Sequence, residues 1–184
     1  MVYLQTRGVI HRDLSARNLL ISHIDGKYES KVADFGLSRE SSEYKAESSL
    51  IPIRWSAVEV LQRKPATSKS DVFSFGVVMH EILTFGAIPY ENIYTNREVI
   101  DFVVRGNRME KVAICTDDLY KLMLDCWKEN PAERPDFMQV LERLQEIAQE
   151  KKRVYEKTYD STYGLTNEYQ SVQKAEYGVS TVNV

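Results

Sequence analysis

Apolar residues fill most positions of one long segment in the middle of the chain, from Val72 to Phe85. The polar residues that interrupt the segment make it a buried core helix and not a membrane span. Ser68 or Ser70 is a suitable N-cap for this helix, and Gly86 follows it as a stop signal. The pattern therefore predicts a central helix running to about Phe85.

Three more helices are predicted after the central one. A capping box begins at Thr95, and the helix that it starts ends near Gly106. Thr116, followed by acidic residues, caps the next helix, and Pro135 suits the first turn of the last. The apolar faces of these last two helices follow helical spacing: Leu119, Leu122, Met123, Cys126 and Trp127, then Phe137, Val140, Leu141, Leu144 and Ile147.

The first part of the chain has a different pattern. Gly8 ends a helix too short to stand alone, so we expect the chain to begin inside a longer element. Two strand-like runs, 19–22 and 28–32, flank Asp25-Gly26, which is a strong hairpin signal. We therefore expect a mainly α domain with a small β-hairpin, spanning residues 1–150.

Two segments lack this regularity. Residues 37–51 are rich in Ser and Glu, which is typical of a mobile loop. From residue 151 apolar residues become sparse, so residues 151–184 are predicted to be a disordered tail. Five tyrosines are spread along that tail: Tyr155, Tyr159, Tyr163, Tyr169 and Tyr177.

Composition narrows the function classes. The 184 residues carry a net charge of −3 with no Lys/Arg-rich block, so nucleic-acid binding is not expected. Only two cysteines are present, Cys115 and Cys126, which argues against a disulfide framework and favours a reducing, cytoplasmic setting. No segment of the sequence has the pattern of a membrane span.

Two motifs lie on either side of the predicted hairpin. His11-Arg12-Asp13-Leu14-Ser15-Ala16-Arg17-Asn18 precedes it, and Asp34-Phe35-Gly36 closes it. These motifs resemble the catalytic loop and the metal site of the protein kinase family. The resemblance covers residues 1–150 and implies the C-terminal lobe of the kinase fold.

The resemblance assigns roles that suit phosphoryl transfer, which needs positioning and charge neutralisation. Asp13 would accept the proton of the substrate hydroxyl. Asn18 and Asp34 offer hard oxygen ligands for Mg²⁺ shared with ATP, and Leu20 would line the nucleotide. The alternative is a purely structural role, in which Asp13 only caps a loop. His11 and Phe35 are expected to be packing residues, part of the apolar column inside active kinases.

A finer resemblance points to the tyrosine kinases. Serine/threonine kinases usually have Lys where this chain has Ser15, and here the basic residue is Arg17, which would neutralise the transferring phosphate. Residues 52–55 resemble the loop that supports an acceptor tyrosine in that group. Residues 126–137 resemble its C-terminal signature.

The same resemblance implies regulatory and structural residues. Tyr44 would be the activating phosphosite, paired with Arg12 and Arg39; its alternative is an ordinary solvated tyrosine. Glu59 and Arg134 would form a structural ion pair, and Asp71 would brace the catalytic loop. The pattern is not complete, because Ala57-Val58-Glu59 lacks the usual proline and Phe73 replaces a usual tryptophan.

The 184 residues contain neither a Gly-rich phosphate loop nor a strand lysine of the kinase type. We therefore expect ATP and Mg²⁺ to need an N-terminal lobe for proper binding. Two functions stay open: a tyrosine kinase fragment acting on protein tyrosines, and a non-catalytic interaction module whose tail recruits phosphotyrosine-reading modules. The cytoplasmic setting is compatible with the inner part of a membrane receptor.

Overall fold

The computed structural model describes residues 1–40 and 51–163, with side chains for 1–39 and 51–155. This part of the chain is mainly helical and contains a small hairpin, as predicted from the sequence, together with a second small antiparallel sheet. Its elements are α1 (Val2–Thr6), β1 (Val9–Ile10), β2 (Leu19–Ile24), β3 (Lys27–Val32), β4 (Arg39–Glu40), α2 (Val58–Leu61), α3 (Ser68–Leu83), α4 (Asn96–Val104), α5 (Asp117–Cys126) and α6 (Phe137–Tyr163).

The predicted hairpin is confirmed as β2 and β3. The strands pair antiparallel, from Leu19 opposite Val32 to Ile24 opposite Lys27. Asp25 and Gly26 form the two-residue turn with φ of 50° and 74°. Because this turn needs two residues with positive φ, an Asp-Gly pair suits it.

The second sheet differs from the expectation for residues 37–51. Arg39 and Glu40 form β4 and pair antiparallel with Ile10 and Val9 of β1. A two-residue strand such as β4 carries too little periodicity to be predicted from a sequence. The rest of the predicted loop, residues 41–50, lies outside the described residues.

Helix α3 is the centre of the core, because most of its residues are buried, among them Val72, Phe73, Val77 and Val78. Its cap differs from the prediction. Thr67 is the N-cap, and it forms a capping box with Ser70, which is the third residue of the helix. The helix ends at Leu83, slightly earlier than expected.

The caps predicted for the next two helices are confirmed. Thr95 and Glu98 form the capping box of α4, and Thr116 accepts a hydrogen bond from the backbone of Leu119 in α5. The face predicted for α6 is only partly buried, since Val140 is 2% exposed and Leu141 is 43% exposed.

The chain divides into two compact units, Met1–Leu144 and Gln145–Val184. In the second unit the structure differs from the prediction of a disordered tail from residue 151, because α6 continues to Tyr163. No Gly or Pro interrupts residues 151–163, so the backbone can remain helical without a long apolar stripe. The remaining tail, residues 164–184, lies outside the described part.

Within residues 1–40 and 51–163, none of the helices has the length and apolar character needed to cross a lipid bilayer.

Candidate active site

The loop that follows β1 is held in place by the carboxylate of Asp71, on α3. Oδ2 of Asp71 accepts a hydrogen bond of 2.7 Å from the backbone N–H of His11, and Oδ1 accepts one of 2.9 Å from Arg12. Burial raises the pKa of Asp71 above its ordinary value, against the opposing effect of these two hydrogen bonds. Arg12 has a positive φ of 69°, so this carboxylate braces a strained turn.

Both carboxylate oxygens of Asp13 are bound by side chains of its own loop. Nη2 of Arg17 donates to Oδ1 at 2.6 Å, and Nδ2 of Asn18 donates to Oδ2 at 3.1 Å. The same amide donates to the backbone carbonyl of Asp13 at 2.7 Å. Arg17 is largely exposed, so the ion pair adds little stability. Its effect is to orient the Asp13 carboxylate.

Asp34 lies just after β3, on the open side of the hairpin, and is exposed. Its Oδ1 accepts a 3.2 Å hydrogen bond from the backbone N–H of Gly36. Asn18 lies immediately before β2, and its backbone carbonyl accepts a 2.8 Å hydrogen bond from Ala33. The hairpin therefore brings the two predicted metal ligands to the same end of the sheet.

The amide oxygen of Asn18 and the carboxylate of Asp34 suit Mg²⁺, which prefers oxygen ligands. Mg²⁺ takes most of its remaining ligands from water and phosphate. Across the described residues, no group of three or more His, Cys, Asp or Glu side chains is arranged to hold a metal ion. A metal here would thus depend on a phosphate ligand as well as Asn18 and Asp34. Leu20, predicted to line the nucleotide, is 61% exposed on β2.

The ring of His11 connects the catalytic loop to the end of the hairpin. His11 is fully buried, and its ring meets that of Phe35 edge-on with centroids 5.1 Å apart. Nδ1 of His11 accepts a hydrogen bond from the backbone of Asp13 at 3.3 Å. Nε2 lies 3.1 Å from the carbonyl oxygen of Ala33. These contacts give His11 a packing and bridging role, whereas Phe35, which the sequence analysis expects to pack with it, is 47% exposed.

The segment 52–55 contacts the catalytic loop through Trp55. The Arg17 guanidinium lies 4.9 Å from the centroid of the Trp55 ring, and the indole Nε1 donates a 2.8 Å hydrogen bond to Glu81. Arg54 anchors the segment from the other side by donating to three backbone carbonyls, those of Pro89, Tyr90 and Ile93.

Glu81 is the residue of this region that the sequence analysis missed. It is 6% exposed, within a helix whose other inward positions are mostly apolar. A carboxylate is rarely buried without partners. An acidic residue on the apolar face of a predicted core helix was therefore the available signal.

Glu59 and Arg134 form the predicted ion pair. Both guanidinium Nη atoms donate to the Glu59 carboxylate at 2.8 Å, and Arg134 is 2% exposed. Burial by itself would raise the pKa of Glu59, but the hydrogen bonds and charge of Arg134, with a hydrogen bond from Ser70, hold that pKa below its ordinary value. This pair links α2 to the segment that precedes α6.

The proposed phosphosite Tyr44 lies outside the described residues. Of its two expected partners, Arg39 donates a 2.7 Å hydrogen bond to the backbone carbonyl of Ser38. Arg12 is half-buried beside the Asp71 brace. The pairing of these two residues with a phosphate on Tyr44 stays a prediction.

The helical fold with its small antiparallel hairpin is that of a truncated protein kinase domain. The family model for "protein tyrosine and serine/threonine kinase" matches residues 1–144. The chain is 43% identical over 150 residues to the human tyrosine-protein kinase Srms, covering 80% of this chain and 30% of that protein. Over 152 residues it is 45% identical to the rat ephrin type-A receptor 8, covering 80% and 40%.

It is also 42% identical over 151 residues to the fibroblast growth factor receptor of Hydra vulgaris, covering 80% of this chain and 18% of the receptor. The chain belongs to the protein tyrosine and serine/threonine kinase family, within its tyrosine kinases. This family uses ATP and Mg²⁺ and acts on proteins. The chain spans 18–40% of the length of these relatives.

Proposed function

We propose that this chain supplies the catalytic loop and the peptide-binding side of a protein tyrosine kinase, which transfers the γ-phosphate of ATP to tyrosine when an N-terminal lobe completes it. One observation carries this proposal. Arg17 and Asn18 bind the two oxygens of the Asp13 carboxylate at 2.6 and 3.1 Å. A carboxylate held in this way is oriented to accept a substrate proton.

In the proposed reaction the phenolic oxygen of a tyrosine attacks the γ-phosphorus of ATP. The bond from that phosphorus to the bridging oxygen breaks, ADP leaves, and the phenolic proton passes to Asp13. Arg17, beside Asp13, neutralises charge on the transferring phosphate. The protein contributes orientation and charge, and it forms no covalent bond to the phosphate.

Asn18 and Asp34 would hold Mg²⁺, which when bound supplies positive charge against the phosphates of ATP. Their side chains flank the open end of the hairpin, and their neighbouring backbone is tied by the hydrogen bond from Ala33 to Asn18. Leu20, exposed on β2, would contact the nucleotide. ATP binding also needs groups from the N-terminal lobe.

A preference for tyrosine over serine is supported by the position of the basic residue. Ser15 provides no cation close after Asp13, whereas Arg17 lies over the Trp55 ring. A cation held farther along the loop leaves room for a phenol, which reaches deeper than a serine hydroxyl. The segment around Trp55 would support the acceptor residue.

The test uses the complete protein that contains residues 1–184, with Mg-ATP and three matched peptides carrying Tyr, Ser or Phe at one position. We expect phosphate on the Tyr peptide, much less on the Ser peptide and none on the Phe peptide. Asp13→Asn should lower the rate of transfer by about 10²–10⁴-fold. Folded complete protein that phosphorylates no Tyr peptide would contradict the proposal and favour the non-catalytic interaction module.

We propose further that the tail tyrosines bind phosphotyrosine-reading modules after phosphorylation. Tyr155 is 69% exposed, which suits access by a kinase; the other four lie beyond the described side chains. Binding of a phosphorylated 151–184 peptide to isolated reading domains, against the unphosphorylated peptide, tests this. Equal binding of the two peptides would contradict it.

A cytoplasmic location, as a separate enzyme or as the inner part of a receptor, is proposed from the reducing setting that the sparse cysteines favour. Cell fractionation, with an antibody against a segment within residues 1–144, tests this location. Recovery of the protein only in the lumen of secretory compartments would contradict it.

A further inference from the structure

Tyr90 and Tyr94 lie four residues apart in the connection between α3 and α4, and they differ sharply in burial. Tyr90 is 7% exposed, and its ring meets that of Phe102 edge-on with centroids 5.9 Å apart. Burial raises the pKa of Tyr90 to about 12. Tyr94 is 90% exposed, so its ring projects into solvent. The fold therefore separates two tyrosines that belong to one short stretch of sequence.

Tyr94 has no hydrogen bond within the described part of the chain, either at its hydroxyl or at its backbone N–H and carbonyl. The residues on both sides of it are fixed. Nη2 of Arg54 donates a 2.7 Å hydrogen bond to the carbonyl of Ile93, and the backbone N–H of Thr95 donates to Glu98 at 3.1 Å. Tyr94 is thus held at a defined place on the surface while its own polar groups stay available to another protein.

The other exposed tyrosines of the described chain belong to regular elements. Tyr3 and Tyr155 lie within helices, and Tyr28 lies in the paired strand β3 with its ring 4.5 Å from that of His23, measured between centroids. A helix or a strand pair must open before an enzyme can bind the surrounding chain in an extended form. Tyr94 lies outside every helix and strand of the described residues, so it needs the least opening.

We propose that Tyr94 is a phosphorylation site, modified by a tyrosine kinase in the folded protein while Tyr90 is protected. In this step the phenolic oxygen of Tyr94 attacks the γ-phosphorus of ATP bound to the modifying kinase. The bond to the bridging oxygen breaks, ADP leaves, and the phenolic proton passes to the catalytic carboxylate of that kinase. The modifying kinase is a second copy of this protein or another tyrosine kinase, and only the first source rests on the proposed function.

The test uses the complete protein with Asp13→Asn as the substrate, so that its own activity is suppressed. It is incubated with Mg-ATP and either the wild-type complete protein or a purified, unrelated tyrosine kinase, and mass spectrometry measures phosphate at each tyrosine. We expect Tyr94 to be modified at least about tenfold faster than Tyr90. Modification by the unrelated kinase alone would support the site and contradict the proposed kinase function. Absence of phosphate on Tyr94 with both kinases would overturn the inference.

A synthetic peptide of residues 86–100 separates the effect of the fold from that of the local sequence. It contains both tyrosines without the packing of Tyr90 against Phe102. The preference for Tyr94 over Tyr90 should therefore largely disappear in the peptide. The same preference in the peptide and in the folded protein would show that burial does not select the site, and it would refute the inference.

Tyr94→Phe and Tyr90→Phe form a matched pair of variants in the same loop. Tyr94→Phe removes a hydroxyl that has no partner among the described residues, so the melting temperature should be unchanged and the loop should carry no phosphate. Tyr90→Phe should keep the phosphate on Tyr94. A Tyr94→Phe variant that is folded and still gains phosphate in this loop at the wild-type rate would rule the proposal out.

Discussion

Arg17 and Asp13 are joined by a 2.6 Å hydrogen bond between the guanidinium Nη2 and the carboxylate Oδ1. They are four residues apart, so a single turn of the catalytic loop brings the cation to the candidate base. Because the arginine is largely exposed, this pair contributes orientation and charge more than stability.

Asp13→Asn is expected to lower kcat for tyrosine phosphorylation in the complete protein by about 10²–10⁴-fold, because the amide cannot accept the phenolic proton. Asn has one acceptor oxygen for the two donors Arg17 and Asn18, so the melting temperature should fall modestly, and kcat is compared per folded molecule. Steady-state kinetics and thermal unfolding measure the two effects. An Asp13→Asn variant with normal kcat would exclude Asp13 as the base.

The 184-residue polypeptide by itself is expected to show no measurable tyrosine phosphorylation with Mg-ATP. Its sequence contains no Gly-rich phosphate loop and no strand lysine to bind ATP. The assay is phosphate incorporation into a tyrosine peptide, with the complete protein as positive control. Turnover by the 184 residues that Asp13→Asn abolishes would show that this part is sufficient.

Stability should depend on pH through Glu59. Its pKa is lowered in the folded protein, so the pair with Arg134 contributes fully above the ordinary value of about 4.5. That contribution is lost as the pH falls below it through the folded-state pKa. Urea unfolding between neutral and strongly acidic pH measures the effect. Glu59→Gln should be less stable than wild type at neutral pH, and the difference in the free energy of unfolding should shrink in acid. A difference that stays the same at every pH would contradict this.

Ser15→Ala is expected to raise the free energy of unfolding by about 1 kcal/mol, or the melting temperature by about 2–4 °C. The Ser15 hydroxyl is fully buried and has no hydrogen-bond partner among the described residues. Removing it therefore removes an uncompensated polar group. Thermal unfolding measures the gain, with exposed Ser30→Ala as a control expected to change little. A clear loss of stability would show that the hydroxyl has a partner.

Gly76→Ala should destabilise the protein by about 1–3 kcal/mol, although alanine favours helices. A methyl group at Gly76 would lie 2.5 Å from Nε1 of Trp127 and 3.1 Å from Cβ of Cys126. Urea unfolding of Gly76→Ala, Trp127→Phe and the double variant checks this. The smaller Phe ring should reduce the cost of the added methyl; additive losses would argue that the clash is not the cause.

Local features were readily predicted because each depends on a few neighbouring residues. The hairpin follows from Asp25-Gly26, whose positive φ angles suit the turn. The caps at Thr95 and Thr116 follow from side chains that reach the backbone three residues on. These interactions form within a short stretch of chain, so the sequence pattern carries the information.

The start of α3 was harder to predict, because Thr67, Ser68 and Ser70 are all capable caps. The structure uses Thr67. Contacts with a distant residue also fix the first turn: Nζ of Lys69 donates to the carbonyl of Arg134 at 2.6 Å, and Arg134 donates to the carbonyl of Lys69 at 2.9 Å. Tertiary contacts therefore select one N-cap among residues whose local sequence signals are similar.

The sequence by itself determined the kinase motifs, the hairpin and most of the helices, since motif spacing and apolar periodicity are properties of the chain alone. Only the tertiary structure decided that Glu81 binds Ala16 and Trp55, and that β4 pairs with β1. These contacts join residues far apart in sequence. Their geometry depends on how the whole core packs around α3, which no local pattern encodes.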